Sequence, residues 1–487
     1  MQRQIALVLG PLIFTFIQFL KPFEGLSDQG HAVLATTLWI AVWWVVEAIP
    51  IAATALLTIV LFPLSGGMEL ATTTASFGHR YVFLYLGGFL IAIGIEKWNL
   101  HRRIALNIIA FIGSDIRKII LGFMLATAFL SMWISNTATS VMMLPIGIAI
   151  IKQLKDNPDT VEDENRIFGK ALMLGIAYSA SIGGIATLIG TPPNLVLAGV
   201  IQSTYGYEIS FLEWFRFGFP ISIVLLTFCW AYLTRIAFKF KQTEFPGGEK
   251  EILRLKNDLG PISSEERWVA VVFSLAAFCW ITSSFLLQPL FPKIDDTLIA
   301  VLFGLALFLI PSKRQGQTLL NWKDTINLPW GIILLFGGGM ALAKAFEESG
   351  LAIWLGQLMT EFGGLPLFLL LLLLIAAINF LTEITSNLAT TAMLLPVLAP
   401  LAMEIDVHPF GLMLGAAVAA SCAFMLPVAT PPNAVVFGSG YLRIPDMVSK
   451  GIIMNIVSIL FVCLMVYFLL PLLWGINLES FPSALIS

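Results

Sequence analysis

The chain alternates long apolar runs with short polar loops. Runs such as 81–96, 267–288 and 450–474 are of membrane-spanning length, because a helix needs about 20 apolar residues to cross the hydrocarbon core of a bilayer. Runs of this kind predict eleven spanning helices, at 5–20, 32–46, 50–64, 81–96, 170–200, 216–240, 267–288, 297–311, 328–346, 409–440 and 450–474. Two further apolar regions, 119–151 and 365–403, are too long for one crossing and too short for two crossings joined by a loop.

The positive charge of the loops predicts how these two regions meet the membrane. Lys and Arg are frequent in the segments 97–118, 152–170 and 235–267, whereas 201–215 and 349–408 contain neither. Basic loops concentrate on the cytoplasmic side. All the basic loops fall on the cytoplasmic side only if each of the two long regions enters and leaves the membrane on the same face. The pattern therefore predicts two re-entrant hairpins, the first open to the cytoplasm and the second to the exterior, with the N-terminus inside and the C-terminus outside.

Composition narrows the class of protein. The chain is 58% hydrophobic and 12% charged, whereas a soluble domain carries about 25% charged residues. A net charge of −3 without a basic patch indicates no nucleic-acid partner. The four cysteines lack the spacing of a metal site or a disulfide framework, and no set of catalytic side chains lies at membrane depth. We therefore expect an all-α polytopic membrane protein that is not an enzyme.

Two short motifs each occur twice, in the same order. Residues 135–139 read SNTAT and residues 386–390 read SNLAT, each in the middle of a predicted hairpin. Residues 191–194 and 430–433 both read TPPN and interrupt later apolar runs. Two copies with opposite predicted membrane orientation are the signature of an inverted repeat, a common architecture of secondary transporters.

The residue types in these motifs suit a coupled anion and cation site. Ser and Asn are N-cap residues, and helix N-termini favour anions. Proline breaks a helix and frees a backbone carbonyl, and carbonyl and hydroxyl oxygens suit hard cations. Neither motif contains Lys or Arg, so co-bound cations and helix dipoles would balance an anion. One such motif alone is typical of helix packing, but two matched pairs favour binding.

Other polar features are less specific. Glu383, an intramembrane carboxylate, could relay protons or could cap and pair structurally. The glycines at 87–88 and 337–339 favour close helix packing over phosphate binding, since they lack the strand context of a nucleotide loop. Segments 99–113 and 348–362 are predicted to be helices lying in the membrane interface.

Residues 421–436, SCAFMLPVATPPNAVV, resemble a signature of the divalent anion/sodium symporter family, which includes sodium-coupled dicarboxylate transporters. The paired tips resemble that family as well, and the resemblance covers nearly the whole chain. It implies an elevator-type homodimer, in which hairpins and broken helices slide as a transport domain against a fixed scaffold. The implied sodium sites are Ser131, Ser135, Asn136 and Gly190, and Thr382, Ser386, Asn387 and Ala429. The implied substrate contacts are Ser135, Asn136, Thr137, Thr191, Pro192, Ser386, Asn387, Thr430 and Pro431.

The expected function is sodium-coupled symport of C4 dicarboxylates such as succinate, malate or fumarate across the plasma membrane of a bacterium. The alternatives are sodium-independent dicarboxylate exchange, and citrate or sulfate as substrate. Leu388 stands where the family often has a hydroxyl residue and cannot donate a hydrogen bond. The preferred substrate is therefore left open.

The same resemblance predicts four consecutive units. Scaffold helices and an interfacial arm occupy 1–118, and the first hairpin and broken helix occupy 119–215. A linking helix, scaffold helices, a cytoplasmic loop and the second arm occupy 216–362. The second hairpin, the second broken helix and the last helix occupy 363–487.

Overall fold

The protein is helical throughout the part of the chain that the computed structural model describes, which is residues 2–113, 115–155, 162–240, 248–313, 316–358 and 364–485. The N-terminal helices are α1 (Gln2–Phe19), α2 (Asp28–Val46), α3 (Ile51–Ala55), α4 (Leu57–Ser65) and α5 (Leu70–Ser76). The first half continues with α6 (Arg80–Lys97), α7 (Leu100–Ile112), α8 (Ile116–Ser131), α9 (Asn136–Lys155), α10 (Glu162–Ile185), α11 (Pro192–Tyr205) and α12 (Phe211–Ala231).

Four helices connect the first half of the chain to the second half. These are α13 (Gly248–Asn257), α14 (Ser264–Thr282), α15 (Gln288–Leu290) and α16 (Asp296–Leu309). The second half then contains α17 (Trp330–Glu348), α18 (Leu351–Leu358), α19 (Leu367–Thr382), α20 (Asn387–Glu404), α21 (Pro409–Ala420), α22 (Pro431–Phe437), α23 (Ile444–Leu464) and α24 (Leu470–Trp474). Short π-helical or 3-10 segments lie at Tyr232–Ala237, Ser283–Leu287, Trp322–Asn327, Met465–Leu469 and Ser483–Leu485.

The order of elements repeats between the halves. The helices α6 to α12 and α17 to α23 each run as a long helix, a short helix, a two-helix hairpin, a broken helix and a final helix. Both final helices continue into a π-helical turn, at Tyr232–Ala237 and at Met465–Leu469. The sequence motifs therefore mark two copies of one structural unit.

The helices have the length and composition of a membrane protein. Among the described residues, eight helices are long and apolar enough to cross a bilayer, and five shorter apolar helices accompany them. The prediction of an all-helical polytopic protein is confirmed. One predicted span, 50–64, is instead broken at Leu56, whose N–H bonds to the Ala53 carbonyl between α3 and α4. The helices α5 and α13 were not predicted, because they are too short and polar to stand out as apolar runs.

Both predicted hairpins turn back inside the protein. Helices α8 and α19 have 16 residues each, which corresponds to about 24 Å at 1.5 Å per residue and falls short of the bilayer core of about 30 Å. Each is followed within five residues by an antiparallel partner, α9 or α20. The segment 99–113 is helical as α7 and 348–358 largely as α18, while 359–362 lie outside the described residues.

The broken helices form the centre of the molecule. Residues 171–191 are buried without interruption, and so is every residue of α21. A helix that is apolar on all faces belongs in a core. Glycines permit the close helix contacts that were predicted: a Cβ on Gly87 would lie 2.5 Å from a backbone atom of Ala300, and one on Gly338 would lie 2.7 Å from the Cβ of Ala55.

Candidate functional site

The tip of the first hairpin gathers oxygen atoms. Helix α8 ends at Ser131 and α9 begins at Asn136. The Ser131 Oγ lies 2.5 Å from the Asn136 Oδ1 and 2.7 Å from the carbonyl oxygen of Ala180 on α10. A hydroxyl carries one proton, so Ser131 can donate to only one of these two acceptors. The Ser131 hydroxyl, the Asn136 amide oxygen and the Ala180 carbonyl thus form a cluster of oxygen atoms, the ligand type that hard cations prefer.

The tip of the second hairpin repeats this geometry. The Thr382 Oγ1 lies 2.7 Å from the Asn387 Oδ1 and 3.0 Å from the carbonyl oxygen of Ala420. Ser131 and Thr382 are both completely buried. The sequence repeat therefore places a hydroxyl, an amide oxygen and a carbonyl oxygen together twice in one molecule.

The helix breaks are held open by matching asparagines. The Asn194 Nδ2 donates to the carbonyls of Gly184 and Thr187 at 3.2 and 2.8 Å. The Nδ2 of Asn433 donates in the same way to the carbonyls at positions 423 and 426, at 3.4 and 3.0 Å. Both asparagines are fully buried, and within the described chain their Oδ1 atoms have no hydrogen-bond partner. Each amide thus replaces backbone donors that the prolines and the unwound backbone do not supply.

Gly190 lies where the first break meets the first tip. A Cβ on Gly190 would lie 2.5 Å from the Gly184 carbonyl oxygen, and a Cβ on Gly184 would lie 2.7 Å from the Asn136 Oδ1. Only glycine allows two backbone segments and an amide to approach this closely. The Gly190 backbone, the first tip and the broken helix therefore lie close together.

The second break is longer than the first and is held by a carboxylate. The unwound segment runs over 421–430, against 186–191 in the first half. The carboxylate of Glu383 accepts hydrogen bonds from the backbone N–H groups of Phe424, Met425 and Leu426 at 2.8, 2.9 and 2.9 Å. These bonds satisfy donors that the unwound segment would otherwise leave buried and unpaired. Of the two roles considered for Glu383, the structure supports the structural one.

The tips and breaks line one cavity of about 1320 Å³. The predicted site residues on its wall are Ser135, Asn136, Thr137, Gly190, Thr191, Pro192, Ser386, Asn387, Ala429, Thr430 and Pro431. Ser131 and Thr382 do not reach the wall and lie behind the tips. Among the described lining residues, neither Lys nor Arg is present, and Glu47 is the one charged side chain. An anion in this cavity would therefore depend on helix N-termini, amides, hydroxyls and cations for its stabilisation.

Several lining residues were not anticipated from the sequence. Ile384 and Thr385 precede the second tip and Val428 precedes the second TPPN motif, so their proximity to motif residues was the available signal. Glu47 and the α1 and α2 side chains opposite the tips belong to another part of the chain. No sequence periodicity connects them to the site, because tertiary packing alone brings them there.

Comparison with protein families identifies the family of the chain. The model of the sodium:sulfate symporter transmembrane region matches residues 2–478. The chain belongs to the sodium:sulfate symporter family. A family member from Staphylococcus saprophyticus, named sodium-dependent dicarboxylate transporter SdcS, is 47% identical over 482 residues, which is 98% of this chain and 93% of the relative. The SdcS of Staphylococcus aureus strain USA300 is 46% identical over 483 residues, with the same coverage of both chains.

Two solved structures share the arrangement of helices but are more distant in sequence than the relatives of the symporter family named above. MtrF of Neisseria gonorrhoeae, from a class of antimetabolite efflux pumps, superposes with a TM-score of 0.58 at 13% identity and covers 93% of this chain and 98% of its own. The YdaH transporter of Alcanivorax borkumensis superposes with a TM-score of 0.55 at 13% identity, over 90% and 98% of the two chains. At this identity the likeness concerns the fold alone.

Proposed function

We propose that the protein is a sodium-coupled symporter of C4 dicarboxylates such as succinate, malate and fumarate. The observation that carries this proposal is the repeated oxygen cluster behind each hairpin tip, beside a cavity whose described wall has no Lys or Arg. The full-length relatives named sodium-dependent dicarboxylate transporters support both the coupling ion and the substrate class. As in those bacterial relatives, we place the protein in the plasma membrane.

The cations and the anion would occupy adjacent parts of the site. The proposed sodium ligands are Ser131, Ser135, Asn136 and Gly190 in the first half, and Thr382, Ser386, Asn387 and Ala429 in the second half. The proposed substrate contacts are Ser135, Asn136, Thr137, Thr191, Pro192, Ser386, Asn387, Thr430 and Pro431. Because Ser135, Asn136, Ser386 and Asn387 occur in both sets, a bound cation orders the residues that the anion contacts. The anion therefore binds poorly until sodium is bound, which couples the two.

The mechanism we propose is an elevator movement in a homodimer. The two hairpins and broken helices would form the mobile unit, within the predicted segments 119–215 and 363–487. The remaining helices, within 1–118 and 216–362, would form the scaffold and the interfacial arms. The support is the repeated unit, in which both hairpins and both broken helices meet at one cavity bounded on its far side by α1 and α2.

Uptake into proteoliposomes tests this function. Purified protein should accumulate radiolabelled succinate along an inward sodium gradient, with a sigmoidal dependence on sodium. Equal uptake in potassium would exclude symport. Uptake that needs internal dicarboxylate but no sodium would instead establish exchange.

Competition decides the substrate class in the same vesicles. The family description names sulfate, so citrate and sulfate are the relevant competitors. We expect unlabelled fumarate to compete with succinate far better than either of them. Stronger competition by sulfate or citrate would contradict the C4 assignment.

A further inference from the structure

The two halves of the site present different surfaces to the same cavity. Thr137 in the first tip is exposed, and its counterpart in the second tip is Leu388, which lines the cavity with 6% of its surface exposed. We propose that Leu388, Ile384 and Val428 form an apolar wall that selects unsubstituted C4 dicarboxylates over hydroxylated and tricarboxylate anions. This inference rests on the proposed dicarboxylate function and names the residues that set its specificity.

The residue two positions before the second tip lies on the cavity wall, and its counterpart in the first half does not. Trp133 stacks in the protein interior, with ring centroids 5.9 Å from Phe211 and 6.4 Å from Trp280. The matching residue, Ile384, is 65% exposed and lines the cavity. Because Trp133 packs against its stacking partners, the first half of the site has no apolar side chain at this position. The second half has Ile384 on the cavity wall.

The residue two positions before each TPPN motif differs in the same way between the halves. Ile189 is 7% exposed and packed into the core, whereas Val428 is 78% exposed on the cavity wall. Pro427 lies beside it on the wall. The longer unwound segment of the second half, which Glu383 holds by its backbone, carries Val428 away from the core.

The hydroxyl of Thr385, which precedes the second tip and lines the cavity, is already engaged within the hairpin. The Thr385 Oγ1 donates to the Leu381 carbonyl at 2.9 Å and lies 2.6 Å from the Thr390 Oγ1. It does not replace the hydroxyl that Leu388 lacks. Ser386 and Asn387 remain as the polar side chains of the second tip on the cavity wall, and they suffice for one carboxylate.

A substrate with one polar substituent on its carbon chain would lose hydration against this wall without gaining a hydrogen bond. An unsubstituted chain loses no hydrogen bond in the same position. Apolar pockets discriminate against an added hydroxyl by about ten- to a hundredfold. The expected order is therefore succinate and fumarate first, then malate, with tartrate and citrate last.

The test compares substrates and variants in proteoliposome uptake driven by an inward sodium gradient. The wild-type protein should show a kcat/KM for succinate that is roughly tenfold or more above that for L-malate. Leu388→Thr should reduce this ratio several-fold by improving malate relative to succinate. Val428→Thr, a polar change at an exposed position that carries little risk to folding, should shift the ratio in the same direction. Leu394→Thr makes the same exchange on α20 outside the cavity wall and should leave the ratio unchanged.

The outcomes separate the two proposals. Equal kcat/KM for succinate and L-malate in the wild-type protein overturns the apolar wall and leaves dicarboxylate transport intact. A ratio that stays constant in both folded cavity variants also overturns it. Failure of the wild-type protein to carry any dicarboxylate contradicts the proposed function itself. If Leu388→Thr does not fold, Val428→Thr decides alone.

Discussion

The Glu383 carboxylate, at the start of the second hairpin tip, accepts a hydrogen bond from the backbone N–H of Phe424 in the second broken helix at 2.8 Å. The side chain of Asn455 on α23 donates to the same carboxylate at 2.7 Å. One buried residue therefore ties the hairpin, the unwound segment and the last helix together. In the first half, Met132 occupies the equivalent position and offers a backbone carbonyl to the Thr187 hydroxyl at 2.5 Å.

Replacing Glu383 with Gln should disturb the second sodium site. The amide would turn an N–H group towards backbone donors, leaving at least one buried N–H unpaired at a cost of about 1–3 kcal/mol. We expect a lower melting temperature in detergent and a several-fold higher sodium concentration for half-maximal uptake. Glu347→Gln removes a carboxylate from an exposed pair with Lys344 and serves as the control. Unchanged sodium dependence in Glu383→Gln would contradict this role.

The asparagines of the two tips should be equally indispensable. Asn136→Ala and Asn387→Ala each remove an amide oxygen from a repeated cluster and a lining group from the cavity. Each variant should therefore lose succinate uptake while eluting as folded protein. Asn477→Ala, in an exposed loop where the side chain bonds to Ser480 and to the Glu479 N–H, should transport normally. Near-normal uptake by both tip variants would remove the basis of the site assignment.

Thr382 offers a test of the hydroxyl alone. Thr382→Val keeps the shape of the side chain but removes the oxygen that lies 2.7 Å from the Asn387 Oδ1. It should raise the half-saturating sodium concentration and flatten the sigmoidal sodium dependence, because one cation would bind weakly. Thr382→Ser retains the oxygen and is expected to behave like the wild-type protein. Identical sodium curves for the Val and Ser variants would exclude Thr382 as a ligand.

An ion pair joins the proposed mobile unit to the proposed scaffold. Arg80, at the start of α6, pairs with Glu208 in the segment between α11 and α12, and the neighbouring Tyr81 hydroxyl donates to the Ile209 carbonyl at 3.2 Å. If α11 moves against α6 during transport, these contacts are present in only one conformational state of the transport cycle. A partly exposed pair contributes about 0.2–1 kcal/mol, so Glu208→Gln should change the transport rate by less than about tenfold.

A double-mutant cycle isolates this pair, because Arg80 also lies 3.3 Å from Asp295. Glu208→Gln should alter the rate in the wild-type background and have no further effect in Arg80→Gln. Equal effects in both backgrounds would show that the pair does not contribute to the movement. Succinate binding at equilibrium, measured beside uptake, should change less than the rate.

The sequence by itself determined the helical class, the two hairpins and the two breaks. Apolar run length reports membrane helices directly, and the SN and TPPN motifs have local backbone consequences that do not depend on their neighbours. For the same reason the motifs named residues from both halves that line one cavity. Short or polar helices such as α5 and α13 could not be predicted, because they produce no long apolar run.

Only the tertiary structure decided how the two halves differ. In the sequence, Trp133 and Ile384 are matching apolar residues, and their burial follows from which helices pack beside each tip. Glu383 was ambiguous because its role depends on backbone donors about 40 residues away, at Phe424 and its neighbours. Local motifs specify which groups are present, but contacts between distant segments determine which of these groups remain free to face the cavity.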